Sequence, residues 1–301
     1  MHNATESVDV NTSDTPWRAS YDVPVSAGMS LQVREWGDPD GPLVIWHHGT
    51  PSSAVAIPGG WEAARTSGVR LCSFDRPGYA RSSRQPGRTV ADAGHWAKLI
   101  ADHLGVETFS SVGTSGGGPC AAAAAALYPD RVRALGVIVG IAPAGAGFDP
   151  AHDMVAETVA EISAARAGET SLRRFIDNLG SLDDALEMWM DRYPASDREV
   201  SSRAEVQTEE ALEDEEWGLQ GFDGWVDDDL ALFQYDWGFT PHQIFTPTEL
   251  LFGDADVLVP PSHARQWSRT IPHARLTWVA GGGHYVRDHE TSLLRRIAGL
   301  E

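Results

Sequence analysis

Val112-Gly113-Thr114-Ser115-Gly116-Gly117-Gly118-Pro119 is the stretch on which the reading of this 301-residue chain turns. It fits Gly-x-Ser-x-Gly. The short run Thr108 to Val112 before it has the composition of a buried strand, and Cys120 to Tyr128 after it, with six consecutive alanines, that of a helix. A serine on so sharp a strand-to-helix turn is held in strained dihedrals, and Gly113 and Gly117 let neighbouring backbone pass where a Cβ would clash. Pro119 suits the first helical turn, where a missing N–H costs nothing. With 30 glycines in the chain such a pattern also arises by chance, so its meaning depends on partners further along.

Outward from this stretch, short apolar runs alternate with helical patterns, which predicts α/β layers around a mostly parallel sheet. Strands are expected at Met29 to Trp36, Pro42 to Trp46, Val69 to Phe74, Val132 to Val139, Thr248 to Phe252 and Ala274 to Val279. Helices are expected at Thr89 to Leu104, with Thr89 as its cap, at Ser262 to Thr270, and from His289 to about Ala298. Between residues 141 and 239 the rhythm lapses. Helical spacing appears at Met154 to Ile162 and at Leu172 to Leu179, followed by tryptophans and phenylalanines mixed with acids. The expected organisation is a core of residues 1–140 and 240–301, its first 19 residues a flexible tail, with residues 141–239 inserted as an acidic helical cap over the serine turn.

Charge sharpens that division. The net charge is −20, and Asp149 to Asp236 holds 24 acids against 6 arginines, which leaves the flanks nearly neutral. A surface of this sign repels nucleic acid and anionic membranes, so neither is expected as a partner. No apolar run approaches the roughly 20 residues of a membrane span. The polar, acidic opening lacks a basic or apolar leader, and the chain reads as cytoplasmic. Cys72 and Cys120 fall in a strand and a helix, as isolated buried thiols do.

The later strands supply partners for Ser115. Gly253-Asp254-Ala255-Asp256 follows one and Gly281-Gly282-Gly283-His284 the next, so the chain order is Ser115, Asp256, His284, each in a loop after a strand. Parallel sheets gather functional groups at that end of their strands. Among the histidines, His284 combines a loop after a strand with glycines that admit close approach, whereas His263, His273 and His289 read as surface or helix residues. His47 and His48 are adjacent at a strand end and point apart, so no metal site is expected. No cofactor is expected either.

With these residues in hand the chain resembles the α/β-hydrolase fold superfamily from about Ser20 onward. His47-His48-Gly49-Thr50-Pro51, Asp75-Arg76-Pro77-Gly78-Tyr79, the turn around Ser115, and the pair Gly253-x-x-Asp256 and Gly282-Gly283-His284 match in order. Ala80 stands where relatives often carry glycine. The resemblance implies an eight-stranded, mostly parallel sheet with a cap inserted after the sixth strand. It implies a Ser115–His284–Asp256 triad, favouring Asp256 over Asp254 by its spacing from Gly253, and an oxyanion hole built from the backbone N–H groups of Thr50 and Gly116. Trp189, Trp217, Trp225 and Trp237 are expected to line the substrate pocket between cap and sheet. The expected activity is hydrolysis of a carboxylic ester or lactone of a small, largely apolar substrate. An aminopeptidase resembling the proline iminopeptidases is the alternative, since an acidic cap suits a free amino terminus, and a ligand receptor without catalysis is the third reading. Serine at position 115 sets the chain apart from haloalkane dehalogenases and epoxide hydrolases, whose nucleophile is aspartate.

Overall fold

The computed structural model describes residues 15–145, 147–179 and 192–301. Eight strands form one sheet in the order β1-β2-β4-β3-β5-β6-β7-β8. These are β1 (Ala19–Ser26), β2 (Met29–Gly37), β3 (Leu43–His47), β4 (Arg70–Phe74), β5 (Phe109–Thr114), β6 (Val132–Ile138), β7 (Thr248–Gly253) and β8 (Arg275–Val279). β2 runs antiparallel to β1 and β4, and the remaining pairs are parallel. The strands that sequence patterning predicts are present within a residue or two. β1 is the addition. It lies at an edge, with Val23 its one fully buried residue, so it carries no apolar run to announce it.

Helices cover the sheet as α1 (Gly60–Thr66), α2 (Val90–His103), α3 (Gly117–Leu127), α9 (Pro261–Thr270) and α10 (Arg287–Ile297). Thr89 opens α2 in a capping box, its N–H donating to the Asp92 carboxylate at 2.7 Å. Helix α3 is apolar all round because it is buried all round, with Ala121 to Ala125 inaccessible to solvent. Its alanines admit α2 as well as the sheet: a methyl group at Gly94 of α2 would lie 2.8 Å from the Ala123 carbonyl carbon.

Between β6 and β7 the described residues form no strand. They form α4 (Ala156–Ala167), α5 (Glu169–Asp177), α6 (Ala195–Ser201), α7 (Ala204–Trp217) and α8 (Asp223–Asp229), the last continued by a wider turn over Leu230–Gln234. Leu172, Ile176, Trp217, Trp225, Val226 and Leu230 pack there with Tyr79 as a second apolar cluster, separate from the main core. A layer with its own small core and carboxylates reaching into the sheet's loops is docked at two levels, by apolar burial and by ion pairs. Among the described residues no helix is long and apolar enough to cross a membrane.

Candidate functional site

Ser115 follows β5 directly and has φ of 51°, the left-handed region that a side chain enters only under constraint. The constraint is visible. Its N–H donates to the Ile138 carbonyl at 3.0 Å, and its own carbonyl accepts from Gly118 and Ile141, both at 3.1 Å. A Cβ at Gly113 would sit 2.1 Å from the Gly117 carbonyl oxygen, and one at Gly117 2.2 Å from that of His47. The two glycines are therefore required by backbone approach, and the turn aims Ser115 outward from the sheet. Ala80 shows the opposite compromise, adopting φ of 44° without the freedom of glycine.

Asp256 and His284 come together from the loops after β7 and β8. His284 Nδ1 lies 2.8 Å from Asp256 Oδ2, while Asp256 Oδ1 accepts from the N–H groups of Leu258 and Val259 at 2.8 and 2.9 Å. These bonds hold a buried carboxylate in one orientation and leave Nε2 of the ring free to face the other way. Burial pushes the His284 pKa down, but the carboxylates around it, Asp256 first and then Asp197 and Glu290, together more than compensate, and it lies above the ordinary histidine value. Asp254 is exposed and serves the loop instead, accepting from Gly281 N–H at 2.6 Å. His263 is buried rather than at the surface, with Nδ1 accepting from Ala142 N–H and Nε2 donating to the Pro150 carbonyl, both at 3.0 Å. His273 meets the Thr246 carbonyl at 3.1 Å, and His289 is exposed.

The loop after β3 faces the serine turn. A methyl group on Gly116 would fall 2.5 Å from Thr50 Oγ1, so the two nominated oxyanion residues touch. What holds Thr50 there is a buried ionic knot. Thr50 Oγ1 donates to Asp228 at 2.8 Å, and Asp228 also receives Arg76 at 2.5 Å, Arg88 at 2.6 Å and the Tyr79 hydroxyl at 2.9 Å. Arg76 in turn donates to the carbonyls of His48 and Gly49 at 2.5 and 2.6 Å. Burial alone would raise the Asp228 pKa; the two guanidinium groups hold it well below the usual carboxylate range. His47 and His48 turn apart, His47 to Ser111 Oγ at 3.1 Å and His48 Nε2 accepting from Arg76 N–H at 3.2 Å. Among the described residues no group of three or more His, Cys, Asp or Glu is placed to hold a metal ion. Arg76 lies in one of the sequence motifs, but the weight of Asp228 is hidden. Its one sequence signal is three consecutive acids, Asp227 to Asp229, between the apolar pairs Trp225-Val226 and Leu230-Ala231.

Ser115 and His284 open into one cavity of about 650 Å³ between the sheet's loops and the helices that follow β6. Trp46, Ile141, Met154, Leu232, Phe233 and Val259 give it apolar walls, and Glu161, Glu209, Glu210, Glu213, Asp229 and Glu290 face it as well. Burial pushes the Glu213 carboxyl up to about 8, although it accepts from Ser52 Oγ. Glu161 and Asp229, side by side, are both raised by burial and compete for one proton. Of the expected pocket tryptophans, Trp217 lines the cavity. Trp225 and Trp237 do not, which corrects the sequence reading. Trp225 is buried in the second apolar cluster with its Nε1 donating to Glu161 at 2.7 Å, and Trp237 packs against Trp267 and Phe239 with its Nε1 donating to the Leu232 carbonyl at 3.0 Å. In both cases the ring packs against neighbouring aromatic rings instead. Trp189 lies outside the described residues.

Comparison with known proteins agrees with this architecture. Over 94 residues, 31% of this chain and 32% of the relative, the sequence is 31% identical to an uncharacterized hydrolase of Bacillus subtilis (strain 168). Over 123 residues, 38% of this chain and 42% of the relative, it is 31% identical to a bifunctional esterase/perhydrolase of Acinetobacter calcoaceticus. The chain thus spans less than half the length of the curated relatives it matches. The crystal structure of the enol-lactonase from Burkholderia xenovorans LB400 superposes with a TM-score of 0.66 at 17% identity, covering 92% of this chain and 99% of that one. The model of the alpha/beta hydrolase fold family matches residues 42–289, from the strand before Thr50 to the helix after His284, and the chain belongs to that family.

Proposed function

We propose that the protein is a serine hydrolase that cleaves a carboxylic ester or lactone through an acyl-enzyme, with the helices between β6 and β7 acting as its cap. The observation that carries this reading is the meeting of a strained, outward-facing Ser115 and an Asp256-bound His284 in one cavity. A serine hydroxyl is a poor nucleophile at its own pKa. His284 Nε2 takes its proton as Oγ attacks the acyl carbon, then returns that proton to the leaving group. Asp256 fixes the tautomer and stabilises the imidazolium. The N–H groups of Thr50 and Gly116 receive the oxyanion, each worth on the order of a hundredfold in rate. Water repeats the cycle to release the acid.

The cavity lining supports a small, partly apolar substrate without negative charge, because the arginines that line it, Arg198 and Arg287, are already engaged by the Tyr193 carbonyl and by Glu209. The esterase activity of the Acinetobacter relative points the same way. Purified protein is expected to hydrolyse short p-nitrophenyl esters, and Ser115→Ala to lower kcat by about a thousandfold or more; activity that survives this change refutes the assignment.

One observation favours a second reading, an aminopeptidase of the proline iminopeptidase type. Glu161 and Asp229 face the cavity with a carboxyl excess that a substrate ammonium would relieve. Faster cleavage of Pro-p-nitroanilide than of any ester would establish that reading over the first.

A further inference from the structure

We infer that Asp197, on helix α6 of the segment between β6 and β7, is a positioning residue that holds the backbone of the His284 loop in place. The inference rests on the reading of His284 as the general base. The Asp197 carboxylate accepts from the N–H of His284 at 2.8 Å and from the N–H of Tyr285 at 3.0 Å, one oxygen to each, and it is fully buried. Two successive N–H groups on one carboxylate leave the peptide between them little rotation.

The loop needs such a restraint. Gly281, Gly282 and Gly283 precede His284, and a glycine run has no conformational preference of its own. Asp256 grips only the ring. With the ring held by one carboxylate and the backbone by another, Nε2 is fixed in both position and direction. Gly283 is part of the same device: a Cβ there would lie 2.2 and 2.3 Å from the two Asp197 carboxylate oxygens, so the carboxylate occupies the space that a side chain at 283 would fill. Tyr193, just before α6, packs edge-on against Tyr285 at 6.1 Å between ring centres and keeps the helix against the loop. The same helix reaches the cavity through Arg198 and Ser201. The wall that substrate touches therefore carries the group that sets the base, and a displacement of about 1 Å in such a base costs on the order of a hundredfold in rate.

The test compares wild type with Asp197→Asn, Gly283→Ala and the double variant. The amide of Asp197→Asn retains one acceptor and turns an N–H group toward the other donor; a methyl at 283 pushes the carboxylate off. Each single change is expected to lower kcat on a p-nitrophenyl ester by about tenfold to a hundredfold with KM within about threefold, and the double variant to be no worse than the poorer single, because both break one contact. Glu199→Ala, an exposed change on the same helix, should leave kcat unaltered. The downfield imidazole proton resonance of His284 should broaden or vanish in the Asp197→Asn variant while its circular dichroism stays native, a readout that needs no turnover. A folded Asp197→Asn protein with wild-type kcat and an unchanged resonance overturns the inference. If Asp197→Asn does not fold, Gly283→Ala alone decides by the same two readouts. Failure of wild-type Ser115 to react with a fluorophosphonate, with the resonance still dependent on Asp197, would instead sink the serine-hydrolase reading and leave the clamp standing.

Discussion

Replacing Glu213 by glutamine should make the protein less sensitive to alkali. Glu213 lies on α7, lines the cavity and accepts a hydrogen bond from Ser52 Oγ, which a glutamine carbonyl also accepts, so the change removes the charge and keeps the contact. Its carboxyl ionises near 8 in the fold against 4.5 for an ordinary glutamate. The folded state therefore binds the proton more tightly than the unfolded chain, and stability falls as pH rises from the lower value to the higher. Each tenfold in proton affinity is worth about 1.4 kcal/mol, which makes the loss between about pH 5 and pH 7 roughly 2 to 3 kcal/mol. Solvent reaching the cavity would screen part of the field and favour the lower end. Urea unfolding followed by tryptophan fluorescence at the two pH values gives the number directly. The variant should gain on wild type by about 2 kcal/mol on going from the acid to the neutral condition. An advantage that is the same at both pH values would show that Glu213 is ionised in the fold and that the cavity is more polar than its walls suggest.

Two further outcomes follow from the site. Activity on a neutral ester should fall on the acid side with a midpoint above about 6.5, the ordinary histidine value, because burial lowers the His284 pKa less than Asp256, Asp197 and Glu290 together raise it and the base works only when neutral; a midpoint below about 6 in kcat/KM would contradict the carboxylate setting of His284, Asp256 above all. Asp228→Asn should destabilise the fold by on the order of 3 kcal/mol, since Arg76 and Arg88 are left buried without their countercharge, and unchanged urea unfolding would refute the knot.

How much of this was legible in the sequence depends on how far apart in the chain the partners lie. Strands β2 to β8 are visible because each is a short apolar run closed by turn residues, whereas β1 buries only Val23 fully and gives no such signal. Ser115, Asp256 and His284 are legible because each sits in the turn or loop after a strand, where chain order stands in for geometry. Asp228 and Asp197 are not, since they act on residues 152 and 87 positions away and are two acids among many in that stretch. The tryptophans show a different limit. Composition brings aromatic residues to the right region, but which ring face meets the cavity is decided by packing, and Trp225 and Trp237 spend theirs on Trp217 and Trp267.

Hydrolysis changes the charge of what the cavity contains. On the proposed reaction an uncharged ester would give way to a carboxylate in a chamber where burial holds Glu161, Glu210 and Asp229 toward their neutral forms and Glu209 is paired with Arg287. While those acids stay neutral the new anion meets little repulsion, and repulsion grows as they ionise with rising pH. The acidic helices would thereby tie the emptying of the chamber to pH.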